Sequence, residues 1–345
     1  MKKLLLFSFF LSFCLISTFS IDLKVTKKTG SVDESVDIAN EIRSNIEDAG
    51  LDENTAKQFN RNFANSTAAI SRGLGLDYAN TTFKYFTLSA SVSAALSPCN
   101  NIHKLIEEFS EKEVHKVLLV HPPAIGATAT LGLDMHYAKN PILKKFKFFL
   151  NFFTIDASKY LNNTSANVRK TSISSFGFHF LYPLMTSKSS ISKNVFYWGG
   201  INISGGLDYV ENHINTDIIH SITVNGKDAE LRANARMRSR IFTLPIEVST
   251  NIRMIHILSL FGGLGTDFTF GKAYVEADGI IDEQVTGTIY DVNAKLGERA
   301  KPSLMNLRFF AGTEINLYVL HVLAKIEYSV FAKSLSAQAG ISIGY

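Results

Sequence analysis

The chain has 345 residues, 46% hydrophobic and only 19% charged, with 26 Phe and 12 Tyr against a single Trp. The apolar share excludes wholesale disorder. A near balance of 35 basic and 31 acidic residues, formally +4, excludes a nucleic-acid footprint, and a mean hydropathy of +0.09 excludes a bundle of membrane helices.

Met1-Lys2-Lys3, the apolar run from Leu4 to Ile16 and the small residues Ser17, Thr18 and Ser20 predict a signal peptide over residues 1–20, cut after Ser20. The run is shorter than the ~20 apolar residues of a membrane anchor. Leu11-Ser12-Phe13-Cys14 loosely matches a lipobox, but Phe13 is bulky where a small residue belongs, so lipidation of Cys14 is the secondary reading. The mature chain then keeps only Cys99, and no internal disulfide is expected.

Residues 21–80 read as a polar helical segment, a plug or a cap. Val36, Ile42, Ile46 and Ala49 fall near helical spacing and stop at Gly50. Phe59, Phe63 and Ile70 line one face of a second helix that ends at Gly73 and Gly75.

From residue 81 to 345 the texture is that of a β-barrel. Phe86, Leu88, Ala90, Val92 and Ala94 alternate with Thr87, Ser89, Ser91 and Ser93. The same period of two returns at 125–137, 175–182, 195–209, 231–252, 258–270, 307–317, 322–330 and 335–345. Two stretches break it and read as helices: Asn101 to His115, and the basic, aromatic Asn140 to Phe153. Segments 211–228 and 278–302 read as long outer loops. This gives nine strands. Bacterial barrels are usually even-numbered, so ten are expected, within a range of eight to twelve, the missed one lying near 283–294 or 218–225.

Strands of ~10–16 residues exceed the usual five or six and suit a tilted membrane span. A closed barrel satisfies every backbone group inside lipid, with an apolar face outward and a polar face inward. A soluble sandwich explains the alternation equally well but not the strand length. The expected fold is therefore an all-β, antiparallel, up-and-down transmembrane β-barrel with an N-terminal helical hairpin and helical loop insertions.

The last strand sharpens this. Leu335, Ala337, Ala339, Ile341 and Ile343 alternate with Ser336, Gln338, Gly340, Ser342 and Gly344, and the chain ends on Tyr345. This resembles bacterial outer-membrane barrels, whose closing strand ends in an aromatic residue read by the barrel assembly machinery. The resemblance implies outer-membrane lipid and that machinery as partners. A narrower resemblance rests on Phe63-Ala64-Asn65-Ser66, Ser71-Arg72-Gly73, Asp77-Tyr78-Ala79 and Phe83-Lys84-Tyr85-Phe86. These segments are similar to a spirochaetal family of barrel-like surface proteins, some leptospiral members of which are described as adhesins for host extracellular-matrix proteins and plasminogen. It supplies no binding residue to carry over.

The chemistry-bearing candidate is a basic stripe, Arg232, Arg236, Arg238 and Arg240, opposite Leu231, Ala233, Ala235, Met237 and Ile241. Arginine facing lipid costs about 2–4 kcal/mol at mid-bilayer, so this face is expected in the lumen or above the membrane. The apolar phase then shifts to Phe242, Leu244, Ile246 and Val248, which predicts a bulge near Arg240. Asp208, Glu247, Asp267, Glu314 and Glu327 occupy inward positions and are the expected acidic partners of the stripe. The nine histidines form no metal-ligand spacing, and no catalytic or cofactor motif is present. The expectation is a non-enzymatic surface barrel whose outer loops contact host or environmental ligands, without metal or cofactor. The rivals are an arginine-lined solute pore and a hydrophobic-ligand transporter plugged by residues 33–72.

Overall fold

The computed structural model describes residues 21–29, 39–40, 53–71, 78, 85–98, 121–156, 168–186, 196–224, 227–254, 257–283 and 288–344. The signal peptide, Cys14, Cys99, the helical insertion at 101–115, Tyr345 and all of the first expected helix but Ala39 and Asn40 lie outside the described residues.

The elements in chain order are β1 (Ile21–Thr29), α1 (Glu53–Ile70), β2 (Phe86–Leu96), β3 (Pro123–Asp134), β4 (Lys147–Asp156), β5 (Val168–Met185) and β6 (Phe196–Val224). They continue with β7 (Lys227–Met254), β8 (Leu258–Glu283), β9 (Thr288–Ala300), β10 (Met305–Leu317), β11 (Leu320–Ser329) and β12 (Ser334–Gly344). Ten strands close a ring in the order β2, β3, β4, β5, β6, β7, β8, β10, β11, β12 and back to β2, every pair antiparallel. Strand β8 serves twice. Its first half pairs with β10 from Leu258 to Phe268, and its second half pairs with β9, which in turn pairs with β1. Strands β6, β7 and β8 thus run on past the ring and, with β9 and β1, form an outer sheet.

The two faces of the ring identify its solvent. Ser93, Thr128, Asn151, Asn202, Glu247, Asp267 and Gln338 are buried, while Leu88, Leu150, Phe178, Ile246, Leu264, Phe309 and Ile341 are exposed. A sandwich would bury the second set and expose the first. A contiguous exposed apolar belt is stable only against lipid, so the ring is a transmembrane β-barrel. On β7 the lipid-facing column runs from Ile252 to Phe242. Ten steps of ~3.4 Å tilted ~40° span about 26 Å, the height of an outer-membrane apolar band. Aromatic residues mark both edges. At the short-turn end Tyr85 stacks on Tyr137 with centroids 5.2 Å apart, and Trp198 Nε1 donates to Thr250 Oγ1 at 2.9 Å. At the other end Tyr209 lies 4.6 Å from Phe242. Bulges serve the first edge, one of them between Pro183 and Met185 on β5. Register shifts between Trp198 and Ile201, where Gly200 takes a φ of 91°, a left-handed conformation that a side chain would strain.

Several expectations are corrected. The tenth ring strand is β4, not a segment near 283–294 or 218–225. Asn140 to Phe153 forms a short 3-10 turn at Leu143–Lys145 and then this strand, not a helix. Phe148, Leu150 and Phe152 face outward and Phe149 and Asn151 inward, so aromatics on both faces hid the period of two. Residues 21–29 are strand β1, not helix, because they complete the outer sheet along β9. Segments 211–228 and 278–302 are largely strand, since β6, β7 and β8 pair far beyond the ring. No bulge occurs near Arg240: the register of β7 with both neighbours is unbroken there.

Candidate functional site

The lumen is occupied. Helix α1 is buried all round from Phe63 to Ile70 and touches β2, β3, β6, β7, β8, β9 and β12. Phe59, Phe63, Ala64, Ala68 and Ile70 pack with Val210, Met237, Ile241, Ala273 and Val275, which point inward from β6, β7 and β8. Small residues on α1 let it fit close to the wall, and several of its polar side chains bond there. Ser66 Oγ donates to the Pro122 carbonyl at 2.7 Å, Thr67 and Ser239 hydroxyls lie 3.0 Å apart, and Ser71 Oγ donates to Thr243 Oγ1 at 3.2 Å. The Ser303 amide donates to Asn65 Oδ1 at 2.8 Å.

Deeper in the barrel Tyr78 lies over an ion cluster centred on Arg308. Arg308 Nε donates to Asp267 Oδ1 at 2.9 Å, Nη1 to Glu327 Oε2 at 2.7 Å, and Nη2 to Glu247 Oε1. Lys325 Nζ lies 3.5 Å from Glu327 Oε2. Tyr78 stacks on Phe261 at 5.3 Å, tilts against Phe310 at 4.9 Å and carries Lys325 Nζ 5.1 Å from its ring centre. Its hydroxyl and Ser204 Oγ both donate to Glu247 Oε2, at 2.7 and 3.2 Å. On the facing wall His179 Nε2 lies 2.7 Å from Asp208 Oδ1. Charges this far from water persist only when surrounded by counter-charges and hydrogen bonds, and this cluster supplies both. The side chains of Arg308, Glu247, Asp267 and Glu327 are 0–1% exposed, so solvent does not reach this depth.

The acids singled out in the sequence, Asp208, Glu247, Asp267, Glu314 and Glu327, are all buried in this interior. Their partners are Arg308, Lys325, His179 and His321, not the arginine stripe. Arg232, Arg236, Arg238 and Arg240 stand on the outward face of the outer part of β7, in the same phase as Phe242, Leu244, Ile246 and Val248. Arg236 pairs with Asp278, while Arg238 Nε and Arg240 Nε donate to Glu211 Oε1 at 2.7 and 3.2 Å. Burial raises the Glu211 pKa, but the hydrogen bonds from Tyr209, Arg238 and Arg240 outweigh it and hold the carboxyl below its ordinary range. Ile341 and Ile343 face outward on β12, in register with Ala90 and Leu88. Arg308 and Tyr78 were not candidates at the sequence level. For Arg308 the signal was present: a charge at an inward position of a strand whose outward residues are Met305, Leu307 and Phe309. For Tyr78 periodicity offers none; the residue stands out only within Asp77-Tyr78-Ala79, one of the segments that carry the narrower resemblance.

A ten-stranded antiparallel ring with a lipid-facing belt, an internal helix and a charged outer sheet defines a transmembrane β-barrel of the outer-membrane type with a filled lumen. The chain belongs to the Lsa36-like family, whose model matches residues 22–345. No curated protein matches it. Among solved structures it is similar to the translocator domain of the autotransporter NalP from Neisseria meningitidis, at 13% identity and a TM-score of 0.31, covering 79% of this chain and 91% of that one. It is also similar to Ail, the attachment invasion locus protein of Yersinia pestis, at 12% identity and a TM-score of 0.24, covering 76% and 98%. The toluene transporter TbuX of Ralstonia pickettii matches at 6% identity and a TM-score of 0.26, covering 81% and 92%.

Proposed function

We propose that this protein is a non-enzymatic outer-membrane surface protein that binds host extracellular-matrix proteins through its outer sheet, the barrel serving as its anchor. The observation that carries the reading is the division of labour between the two ends. The interior is shut by α1 and the Arg308 cluster, whereas β6 to β9 project past the apolar belt and carry an alternating charged face. Alternating Arg, Glu and Asp on a rigid sheet offers many charge-assisted contacts to an extended protein ligand. The family's leptospiral adhesin character agrees with it. The same interior disfavours the pore and transporter readings, because a conducting path requires accessible lumen side chains. Export through a cleaved leader and insertion by the barrel assembly machinery belong to the same proposal.

The test uses the refolded full chain in detergent, immobilised and exposed to laminin, fibronectin and plasminogen. Saturable binding that falls when Arg232, Arg236 and Asp278 are charge-reversed supports the proposal. Equal binding by the reversed variant, or none by the native chain, removes it. In planar bilayers the native chain is expected to be electrically silent.

A further inference from the structure

The outward face changes character within one step on three adjacent strands. The lipid-facing columns end at Tyr209 on β6, Phe242 on β7 and Phe270 on β8, which lie side by side in register. The next outward residues are Glu211, Arg240 and Lys272, again side by side, with Arg238 one step further out. The apolar column below Arg240 already spans about 26 Å, so this row stands at the level of lipid headgroups.

The charge in that row does not balance. Arg240 and Lys272 are directly opposed cross-strand partners. Like charges in that position repel and destabilise the pair. Glu211 is the one carboxylate in the row beside three cations, Arg238, Arg240 and Lys272, and it is engaged by Arg238 and Arg240 while Tyr209 also donates to it, at 2.7 Å. Lys272 has no ion-pair partner among the described residues, and Arg240 keeps a side chain 45% exposed. The other charges facing this row lie further out. Glu276 is engaged by Arg299 at 3.6 Å, and Asp278 by Arg236. An anion between Arg240 and Lys272 would relieve the repulsion, and the anion at this depth is a lipid phosphate. Arginine and lysine both bind phosphate, arginine through its planar fork and lysine as a point charge.

We propose that Arg240 and Lys272, with Arg238, form an outward-facing site for the phosphate of a lipid headgroup in the surrounding leaflet. The site lies outside the lumen and does not depend on any matrix ligand. It fixes the depth of the barrel and ties the base of the outer sheet to the membrane surface.

The experiment is native mass spectrometry of the full chain in detergent, titrated with bisphosphorylated lipid A, with the same lipid after dephosphorylation, and with inorganic phosphate as competitor. Folding of each variant is confirmed by heat-modifiable migration. The double variant R240Q/K272Q is expected to lose affinity for the phosphorylated lipid by about thirtyfold, from roughly a fifth of the affinity left per basic residue removed near a charged surface. R232Q, several steps further out on the same face, is expected to bind as the native chain does. Dephosphorylated lipid is expected to bind native and double-variant chains equally and weakly. Equal retention of phosphorylated lipid by native chain and R240Q/K272Q would overturn the proposal. So would displacement of the lipid by equimolar inorganic phosphate, which would mark a simple anion site without lipid.

Discussion

The hydroxyl of Tyr78 donates to Glu247 Oε2 at 2.7 Å, joining a residue inside the lumen to a strand of the wall 169 residues later in the chain. The same carboxylate receives Arg308 through its other oxygen. Glu247 therefore links Tyr78 to the cation that organises β7, β8, β10 and β11. Loss of the tyrosine hydroxyl should be felt on both sides. Tyr78→Phe is expected to destabilise the barrel by about 1.5–3 kcal/mol, the range for a hydrogen bond to a charged group. The urea midpoint of unfolding, followed by heat-modifiable migration, checks this.

Arg308 is the most demanding position. Arg308→Met leaves Glu247, Asp267 and Glu327 buried together with Lys325 as the remaining cation of the cluster. Breaking a buried charge network from one side costs about 3–5 kcal/mol, and the variant is expected not to refold into the heat-modifiable form. Arg308→Lys keeps the charge but loses the fork, and is expected to refold with a lowered midpoint. Equal stability of Arg308→Met and the native chain would contradict the cluster's role.

Ala68 sits on α1 with no exposure, inside the barrel wall. Ala68→Arg adds a long cation where the helix meets the strands, and overpacking of this kind forces displacement. The variant is expected to lose about 1–3 kcal/mol of stability, read as a lowered urea midpoint, and to stay electrically silent because the Arg308 cluster still shuts the lumen below α1. An unchanged midpoint for Ala68→Arg would mean that α1 does not pack against the wall at this position.

Ile246 lies near the middle of the lipid-facing column of β7. Ile246→Arg is expected to cost about 2–4 kcal/mol in a lipid bilayer, the mid-bilayer cost of a cation on a barrel's outer face. The arginine already present at position 240 lies beyond that band. Stability unchanged by Ile246→Arg in bilayers would argue for water on this face.

Glu211 gives a pH dependence. Its folded pKa is lowered, so it binds fewer protons folded than unfolded and its contribution is complete above the ordinary carboxylate range. That contribution is lost as pH falls through the lowered folded value. Protection factors for hydrogen exchange over residues 209–212 and 238–241, corrected for the intrinsic pH dependence of amide exchange, are expected to be steady from neutrality down to about pH 5 and to fall in stronger acid. Glu211→Gln should remove the acid step while leaving the barrel folded.

The class of fold was legible in the chain by itself. Strand length, alternation from Phe86 onward and a closing strand through Ile341 and Ile343 specify a ribbon with one oily and one polar face, and geometry allows few ways to use it. The inward phase of Asp208, Glu247, Asp267, Glu314 and Glu327 followed from the same period. What alternation cannot state is which medium each face meets at each height. On β7 one unbroken face carries Ile246 and Phe242 in lipid and then Arg240 and Arg238 above it. The opposite face carries Glu247 toward the ion cluster and then Ile241 and Met237 against α1. The polarity of both faces reverses while the strand does not, which is why a linear reading inserts a bulge. Likewise β4 is hidden by Phe149, which faces α1's side of the wall as its outward neighbours face lipid. The partners of Arg308 lie 19, 41 and 61 residues away, on strands brought together only when the ring closes. Periodicity is a local property and survives in the sequence, whereas the medium outside a strand and the charge opposite a side chain are set by closure, which only the tertiary structure decides.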